Sequence, residues 1–180
     1  TNIWEERASI PPYIFKTKSL LPGAGCRGAS DGNGRIYMTV GNNTPGFMSY
    51  TASEGWTLLT DVPARVFKGT DIALVNGSVY LLDGWNARFR RYTVATSTWT
   101  DLGALPDPST VGWDEGSWLV FDGDPTLYAH QESPEVIIFA AQFVQREGVL
   151  HVMQVNETVD LAVGVAGNVG QDGLARWHFI

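Results

Sequence analysis

The fold is decided by a stretch that occurs twice, as Gly34-Arg35-Ile36-Tyr37-Met38-Thr39-Val40-Gly41 and as Gly77-Ser78-Val79-Tyr80-Leu81-Leu82-Asp83-Gly84. In each copy a glycine is followed by six residues that are mostly β-branched, aromatic or aliphatic, and a second glycine closes the run. This pattern predicts a β-strand that is buried on both faces and ends at a turn. A third copy is predicted at Gly116-Ser117-Trp118-Leu119-Val120-Phe121-Asp122-Gly123.

The first two copies belong to a longer repeat. They are separated by 43 positions, and the same step relates three further pairs: Trp56 and Trp99, Leu59 and Leu102, and Pro63 and Pro106. A repeat of roughly 40 to 50 residues with several strands per unit is typical of the blades of a β-propeller. Because they recur at equivalent positions, Trp56 and Trp99 are predicted to pack within the core of the blades.

The repeat resembles the kelch repeat. The resemblance lies in the glycine-ended second strand, in a tyrosine followed six or seven residues later by tryptophan, and in a proline at the exit of the unit; the residues are Tyr50 and Trp56, Tyr92 and Trp99, Val62-Pro63 and Leu105-Pro106. It covers residues 26–110 well and 111–132 in part. A single glycine follows the strand at Gly41, Gly84 and Gly123, where the kelch family has two. The resemblance implies an all-β, kelch-like propeller, or a propeller segment, of antiparallel blades.

We expect an extended N-terminal arm at residues 1–25, since Pro11-Pro12 disfavours helix and removes two backbone donors. Four blades are predicted at about 26–66, 67–110, 111–146 and 147–180. Propellers close with about four to eight blades, so an arc of three clear units leaves an open side. Either the arm adds a strand to the last blade and closes a four-bladed ring, or neighbouring chains cover the open side; the second is favoured.

The composition narrows the function classes. The 180 residues carry a net charge of −7, and only 17% are charged, which argues against binding to a phosphate backbone. The single cysteine excludes an intramolecular disulfide. No apolar run reaches the roughly 20 residues of a membrane span, and Thr1-Asn2-Ile3-Trp4-Glu5-Glu6-Arg7 has no signal-peptide pattern. The site of action is left open.

Candidates for catalysis are weak. Cys26 has no histidine near it in sequence, so a small buried residue is the simpler interpretation. A metal site would need distant histidines to converge with carboxylates, and no spacing selects a catalytic carboxylate pair. The residues considered are His130, His151, His178, Asp107, Asp114, Glu115, Asp122, Asp124 and Glu132. We therefore predict no catalytic residue, no metal and no cofactor.

Binding residues are predicted in the loops. Trp85, Asn86 and Arg88 follow the closing glycine of the second unit and have no role dictated by the repeat, and Trp113 is near them in the next unit. Loops on one face of a propeller commonly bind partners, and tryptophan and arginine are typical of binding hot spots. The sequence predicts a non-enzymatic protein-interaction module, a homo-oligomer or a subunit of a larger assembly such as a phage or viral spike, fibre or decoration protein. The alternative is a carbohydrate-binding module, since tryptophan and asparagine in loops suit sugars.

Overall fold

The computed structural model describes residues 4–105, 113–121, 123 and 126–131, together with the backbone of two strands at 137–146 and 149–157. These residues form strands and turns, with one short 3₁₀ turn at Gly84–Asn86 and no α-helix. Within this part of the chain, no helix is long and apolar enough to cross a membrane. The predicted all-β class is confirmed.

The strands form one hairpin and three four-stranded sheets, each antiparallel and each built from strands consecutive in sequence. The hairpin pairs β1 (Tyr13–Phe15) with β2 (Lys18–Leu20). The first sheet contains β3 (Arg27–Ser30), β4 (Arg35–Thr39), β5 (Phe47–Thr51) and β6 (Gly55–Leu58). The second contains β7 (Thr70–Val75), β8 (Ser78–Asp83), β9 (Arg88–Thr93) and β10 (Thr98–Ala104). The third contains β11 (Trp118–Phe121), β12 (Thr126–Gln131), β13 (Ile137–Arg146) and β14 (Val149–Glu157).

The two repeated stretches form β4 and β8, the second strands of their sheets. Five consecutive residues of β8, Val79–Asp83, are buried, as predicted for a strand covered on both faces. Asn76 and Gly77 both have positive φ values, 46° and 72°, in the turn that joins β7 to β8. An Asn-Gly pair with this geometry matches the right-handed twist of a hairpin. The turn therefore explains why a glycine opens this copy of the repeat.

The third predicted copy is wrong in one respect. Its strand is β11, which is the first strand of the third sheet and not the second. The equivalents of β11 are β3 and β7, each of which also follows a glycine with positive φ; the three glycines are Gly25, Gly69 and Gly116. A glycine followed by an apolar run marks a strand between two turns, but it does not encode the position of that strand in its sheet.

The predicted boundary between a third and a fourth blade is also wrong. β13 and β14 pair with each other from Ile138↔Glu157 to Arg146↔Val149. Residues 149–157, predicted to lie in a fourth blade, therefore belong to the third sheet. The rest of that predicted blade, residues 158–180, lies outside the described residues.

The first strands of the sheets lie side by side, with β7 between β3 and β11, and the sheets pack face to face. One apolar cluster joins the first and second sheets, and another joins the second and third. In the first of these, the Phe47 ring meets Tyr92 and Trp99 edge-on, with centroids 5.0 and 5.1 Å away. The predicted packing role of Trp99 is confirmed by these contacts.

The N-terminal arm covers the outer face of the first sheet. Lys16 and Thr17 have positive φ values and turn the arm back on itself, so the predicted extended arm contains a hairpin. Tyr13 is buried against Met38, Val40 and Met48. Its hydroxyl donates a hydrogen bond to Asp61 at 2.6 Å. Among the described residues the two strands of the arm pair only with each other. Most of the predicted last blade lies outside the described residues, so its completion by the arm stays a prediction.

Candidate binding face

One end of the sheets is formed by turns that interlock. The closing glycines Gly41 and Gly84 begin the turns from β4 to β5 and from β8 to β9, and both are packed against neighbouring backbone. A Cβ on Gly84 would lie 2.4 Å from the carbonyl oxygen of Gly69 and 2.7 Å from that of Trp113. Any side chain at this position would therefore collide with backbone. We call this end the turn face; it comprises segments 21–26, 40–46, 63–69, 84–88 and 113–117.

An asparagine amide ties each turn to the segment that enters the same sheet. Asn42 Nδ2 donates to the carbonyl of Leu21 at 3.1 Å, and Asn86 Nδ2 donates to that of Arg65 at 2.9 Å. Asn86 Nδ2 also donates to both carboxylate oxygens of Asp83, at 2.9 and 3.1 Å. The two hydrogens of the Asn86 amide are thus engaged within the protein, so the predicted binding residue Asn86 is a structural clamp in this conformation.

A buried charge lies beneath the second turn. Asp83 is fully buried, and Arg90, also buried, approaches its carboxylate at 3.4 Å. Burial raises the pKa of Asp83, while the hydrogen bond from Asn86 and the charge of Arg90 lower it in part. A buried carboxylate of this kind requires its partners, so the backbone that carries the turn is held from below.

Trp85 occupies the tip of this turn. It lies between Gly84 and Asn86 in the 3₁₀ turn, and Ala87 closes the turn in the left-handed region at φ 49°. The indole is 59% exposed. It contacts Phe67 edge-on, with ring centroids 5.4 Å apart and planes at 89°. The structure therefore presents a large aromatic ring to solvent in a fixed orientation.

The other two predicted binding residues have different surroundings. Arg88 donates from Nε and one terminal nitrogen to the same carboxylate oxygen of Asp101, at 3.1 and 2.8 Å. It is half-exposed, but its charge is already paired. Trp113 is 4% exposed and packs in the cluster between the second and third sheets. The structure therefore corrects the prediction for Trp113, because an indole buried in the core offers no surface to a partner.

A row of residues beside Trp85 is not predicted from the sequence. The Arg65 guanidinium lies 5.3 Å from the centre of the Phe15 ring, over which Lys16 Nζ also lies at 5.6 Å. Lys68 pairs with the exposed Glu115 at 3.2 Å. A comparison of residues 21–25 with 65–69 would have revealed the row, because Gly25 and Gly69 are equivalent while the residues before them change from Leu-Pro-Gly-Ala to Arg-Val-Phe-Lys.

Within the described part of the chain, no group of three histidine, cysteine, aspartate or glutamate side chains is placed to hold a metal. Cys26 is partly buried, and burial raises the pKa of its thiol, with a smaller opposing effect from Arg27. The imidazole of His130 stacks on Trp118 with centroids 5.2 Å apart. Asp107, Asp122, Asp124 and Glu132 lie outside the described residues, as do the side chains of His151 and His178.

Three antiparallel four-stranded sheets packed face to face, with their first strands side by side, place the chain in the propeller-type class of all-β proteins. A solved structure titled "Streptogramin B lyase structure", a propeller-type protein, is similar in fold, with a TM-score of 0.51 and 14% sequence identity. The similarity covers 84% of this chain, which spans 44% of the length of that one. No family model and no curated protein matches the chain.

Proposed function

We propose that this chain is a non-enzymatic binding module that docks on another protein through the turn face, with Trp85 at the centre of the contact. The observation that carries the proposal is the exposed indole on a turn held by the Asn86 clamp. Large aromatic side chains on rigid supports are the usual anchors of protein interfaces, since little conformational entropy is lost when they bind.

The repeat supports a functional origin for Trp85. The corresponding turn of the first unit, residues 40–46, contains no aromatic side chain. The first unit folds into the same four-stranded sheet without an aromatic residue in this turn. Trp85 is thus unnecessary for the architecture, and an exposed indole without a structural task is a candidate for recognition.

A protein partner fits this surface better than a neutral sugar. A sugar-binding site needs polar side chains that can reach hydroxyl groups beside the aromatic platform. Asn86 was predicted for that role, but both hydrogens of its amide are already donated to Arg65 and Asp83. For the carbohydrate-binding alternative, the Trp85 indole is still available as a platform, but the nearest polar donor, the Asn86 amide, is already occupied.

We further propose that the partner is another subunit of a larger assembly. The outer face of the third sheet exposes Trp118 and Val120, whereas the hairpin covers the outer face of the first sheet. In a kelch-like propeller arc, the hairpin would cover the first sheet at one end, and the third sheet would expose apolar side chains at the other. Such an arc suits association with further copies or further blades. Light scattering on the isolated chain tests this part of the proposal: an oligomer is expected, and a stable monomer that exposes this apolar face would contradict it.

The central experiment compares binding by the wild-type chain, Trp85→Ala and Leu58→Ala. The partner is first obtained by crosslinking in the source cells and then purified, so that dissociation constants can be measured. Truncation of a hot-spot tryptophan costs about 2 kcal/mol or more, so Trp85→Ala should weaken binding by at least roughly 30-fold. Leu58 is equally exposed but lies outside the turn face, and its substitution should have no effect.

Two results would overturn the proposal. One is a partner that binds Trp85→Ala as tightly as the wild-type chain. The other is specific binding on a glycan array that disappears in Trp85→Ala while no protein partner is found, which would establish the carbohydrate-binding alternative. Thermal unfolding of the variant serves as the control, because an exposed residue should change stability by no more than about 1 kcal/mol.

A further inference from the structure

A band of aromatic and cationic side chains runs from the N-terminal hairpin onto the turn face beside Trp85. We call it the cation–aromatic strip; its members are Phe15, Lys16, Arg65, Phe67, Lys68 and Trp85. Arg65 and Lys16 lie over the Phe15 ring, and Phe67 meets Trp85 edge-on. The Asn86 amide joins the two ends, because it holds the backbone carbonyl of Arg65. The hairpin, the segment before β7 and the Trp85 turn thus build one continuous surface.

The fold does not require the chemistry of this strip. In the first unit the residues equivalent to Arg65, Phe67 and Lys68 are Leu21, Gly23 and Ala24. Both units keep the clamp and the positive-φ glycine before the first strand. The second unit departs from the first at these three positions and at Trp85. The four residues lie together, although the first unit adopts the same backbone fold without them. Such clustering is what a binding function would produce.

The charge of the strip identifies the kind of partner. The chain carries a net charge of −7, yet Lys16, Arg65 and Lys68 gather here. Within the described part of the chain, no carboxylate lies within ion-pair distance of Lys16 or Arg65. The carboxylate that Lys68 meets, Glu115, is exposed, and an exposed pair of this kind is worth little and exchanges readily. The planar guanidinium of Arg65 can donate two parallel hydrogen bonds to a carboxylate.

We propose that the cation–aromatic strip binds a segment of the partner polypeptide that is rich in aspartate and glutamate and carries an apolar side chain for the Trp85–Phe67 pair. This inference rests on the proposed function and specifies the chemistry of the partner. An acidic polypeptide is favoured over nucleic acid, because the chain carries a net charge of −7 and Glu115 lies 3.2 Å from Lys68, and both disfavour a long, closely spaced phosphate backbone.

The test uses fluorescence anisotropy with a labelled peptide of glutamate and leucine, EELEELEE, and its uncharged counterpart QQLQQLQQ. The full chain should bind the glutamate peptide, and binding should weaken as ionic strength rises, because contacts between exposed charges are screened. The glutamine peptide should bind at least tenfold more weakly. Failure to bind the glutamate peptide at about 1 mM protein, or equal binding of both peptides, would overturn the inference.

Variants assign the binding to the strip. Arg65→Gln should weaken binding of the glutamate peptide about tenfold, while Arg65→Lys, which keeps the charge but loses the planar fork, should fall between the two. Arg35→Gln removes the same charge at the opposite end of the sheets, where Arg35 pairs with Glu54, and should leave binding unchanged. Circular dichroism confirms that each variant is folded. Equal weakening by Arg65→Gln and Arg35→Gln would indicate a general charge effect and would overturn the assignment.

The outcome separates this inference from the proposed function. If the natural partner loses affinity for Trp85→Ala but not for Arg65→Gln, the docking proposal stands and the acidic segment is wrong. If a single-stranded oligonucleotide binds more tightly than the glutamate peptide, and this binding is lost when Arg65 is substituted, the proposed partner class is wrong. If Trp85→Ala leaves partner binding intact, the proposed function itself fails.

Discussion

The packing of the N-terminal hairpin against the first sheet can be tested by replacing Tyr13 with alanine. Tyr13 is 6% exposed and packs against Met38, Val40 and Met48. Truncation of a buried aromatic ring costs about 3 to 5 kcal/mol, since transfer free energy is lost and a cavity remains. Ile14→Ala is the matched control, because Ile14 is adjacent in the same strand but 63% exposed; it should change stability by less than about 0.5 kcal/mol.

Substitution of Gly46, which contacts the same ring, completes a double-mutant cycle with Tyr13→Ala. A Cβ at Gly46 would lie 2.9 Å from Cγ and Cδ2 of the Tyr13 ring and 2.8 Å from Cγ2 of Val40. Gly46→Ala should therefore cost about 1 to 3 kcal/mol by overpacking. The cost should fall in the Tyr13→Ala background, where the ring is absent, and leave a coupling energy of about 1 kcal/mol or more.

Urea unfolding of the wild-type chain, the two single variants and the double variant gives the four free energies of this cycle. If Tyr13→Ala costs no more than Ile14→Ala, or if the effects of Tyr13→Ala and Gly46→Ala simply add, the hairpin does not form the cover described above. The reasoning about the outer face of the first sheet would then be refuted.

Three further predictions concern the core and the ionisation of one tyrosine. Gly69→Ala should cost several kcal/mol more than Gly77→Ala in urea unfolding: both glycines have positive φ, which costs about 1 to 2 kcal/mol for alanine, but only at Gly69 would the Cβ meet a carbonyl oxygen, at 2.3 Å. Trp113→Ala should cost about 3 to 5 kcal/mol, since the indole is buried, and a cost below about 1 kcal/mol would remove Trp113 from the core. Burial, followed by the hydrogen bond and charge of Asp61, raises the pKa of Tyr13 above its ordinary value. The folded chain therefore holds this proton more tightly than the unfolded chain; the resulting stability is complete below about pH 10 and is lost as the pH rises further. Unfolding free energies measured across this range should fall less steeply for Tyr13→Phe, and equal slopes would contradict the shift.

The all-β class and the identity of β4 and β8 could be predicted because their cause is local. An Asn-Gly turn opens β8, and five buried residues follow it. The position of a strand within its sheet has no local cause. The run from Gly116 to Gly123 looks like β8, yet its strand is the first of the third sheet. For the same reason, the sequence predicts a fourth blade that includes residues 149–157, although these residues pair with β13.

The candidate site was predictable only at its tip. Trp85 stands out in the sequence because the repeat assigns no structural role to it, and the structure exposes it to solvent. Trp113 looks similar in sequence, but its burial depends on the packing of the second sheet against the third. Arg65 and Phe67 belong to a connecting segment that carries no motif, and they join the site through contacts with Asn86 and Trp85. Such long-range contacts have no signature in the surrounding residues.

The clamp made by Asn86 has a consequence for how this surface can change. The turn is held by the amide, by the hydrogen bond from the Ala87 nitrogen to the Gly84 carbonyl, and by the packing of Gly84. None of these depends on the side chain at the tip. Mutation should therefore be able to exchange the residue at position 85, which we propose for recognition, without refolding the loop. This makes the position suitable both for divergence between related proteins and for grafting a new specificity onto the scaffold.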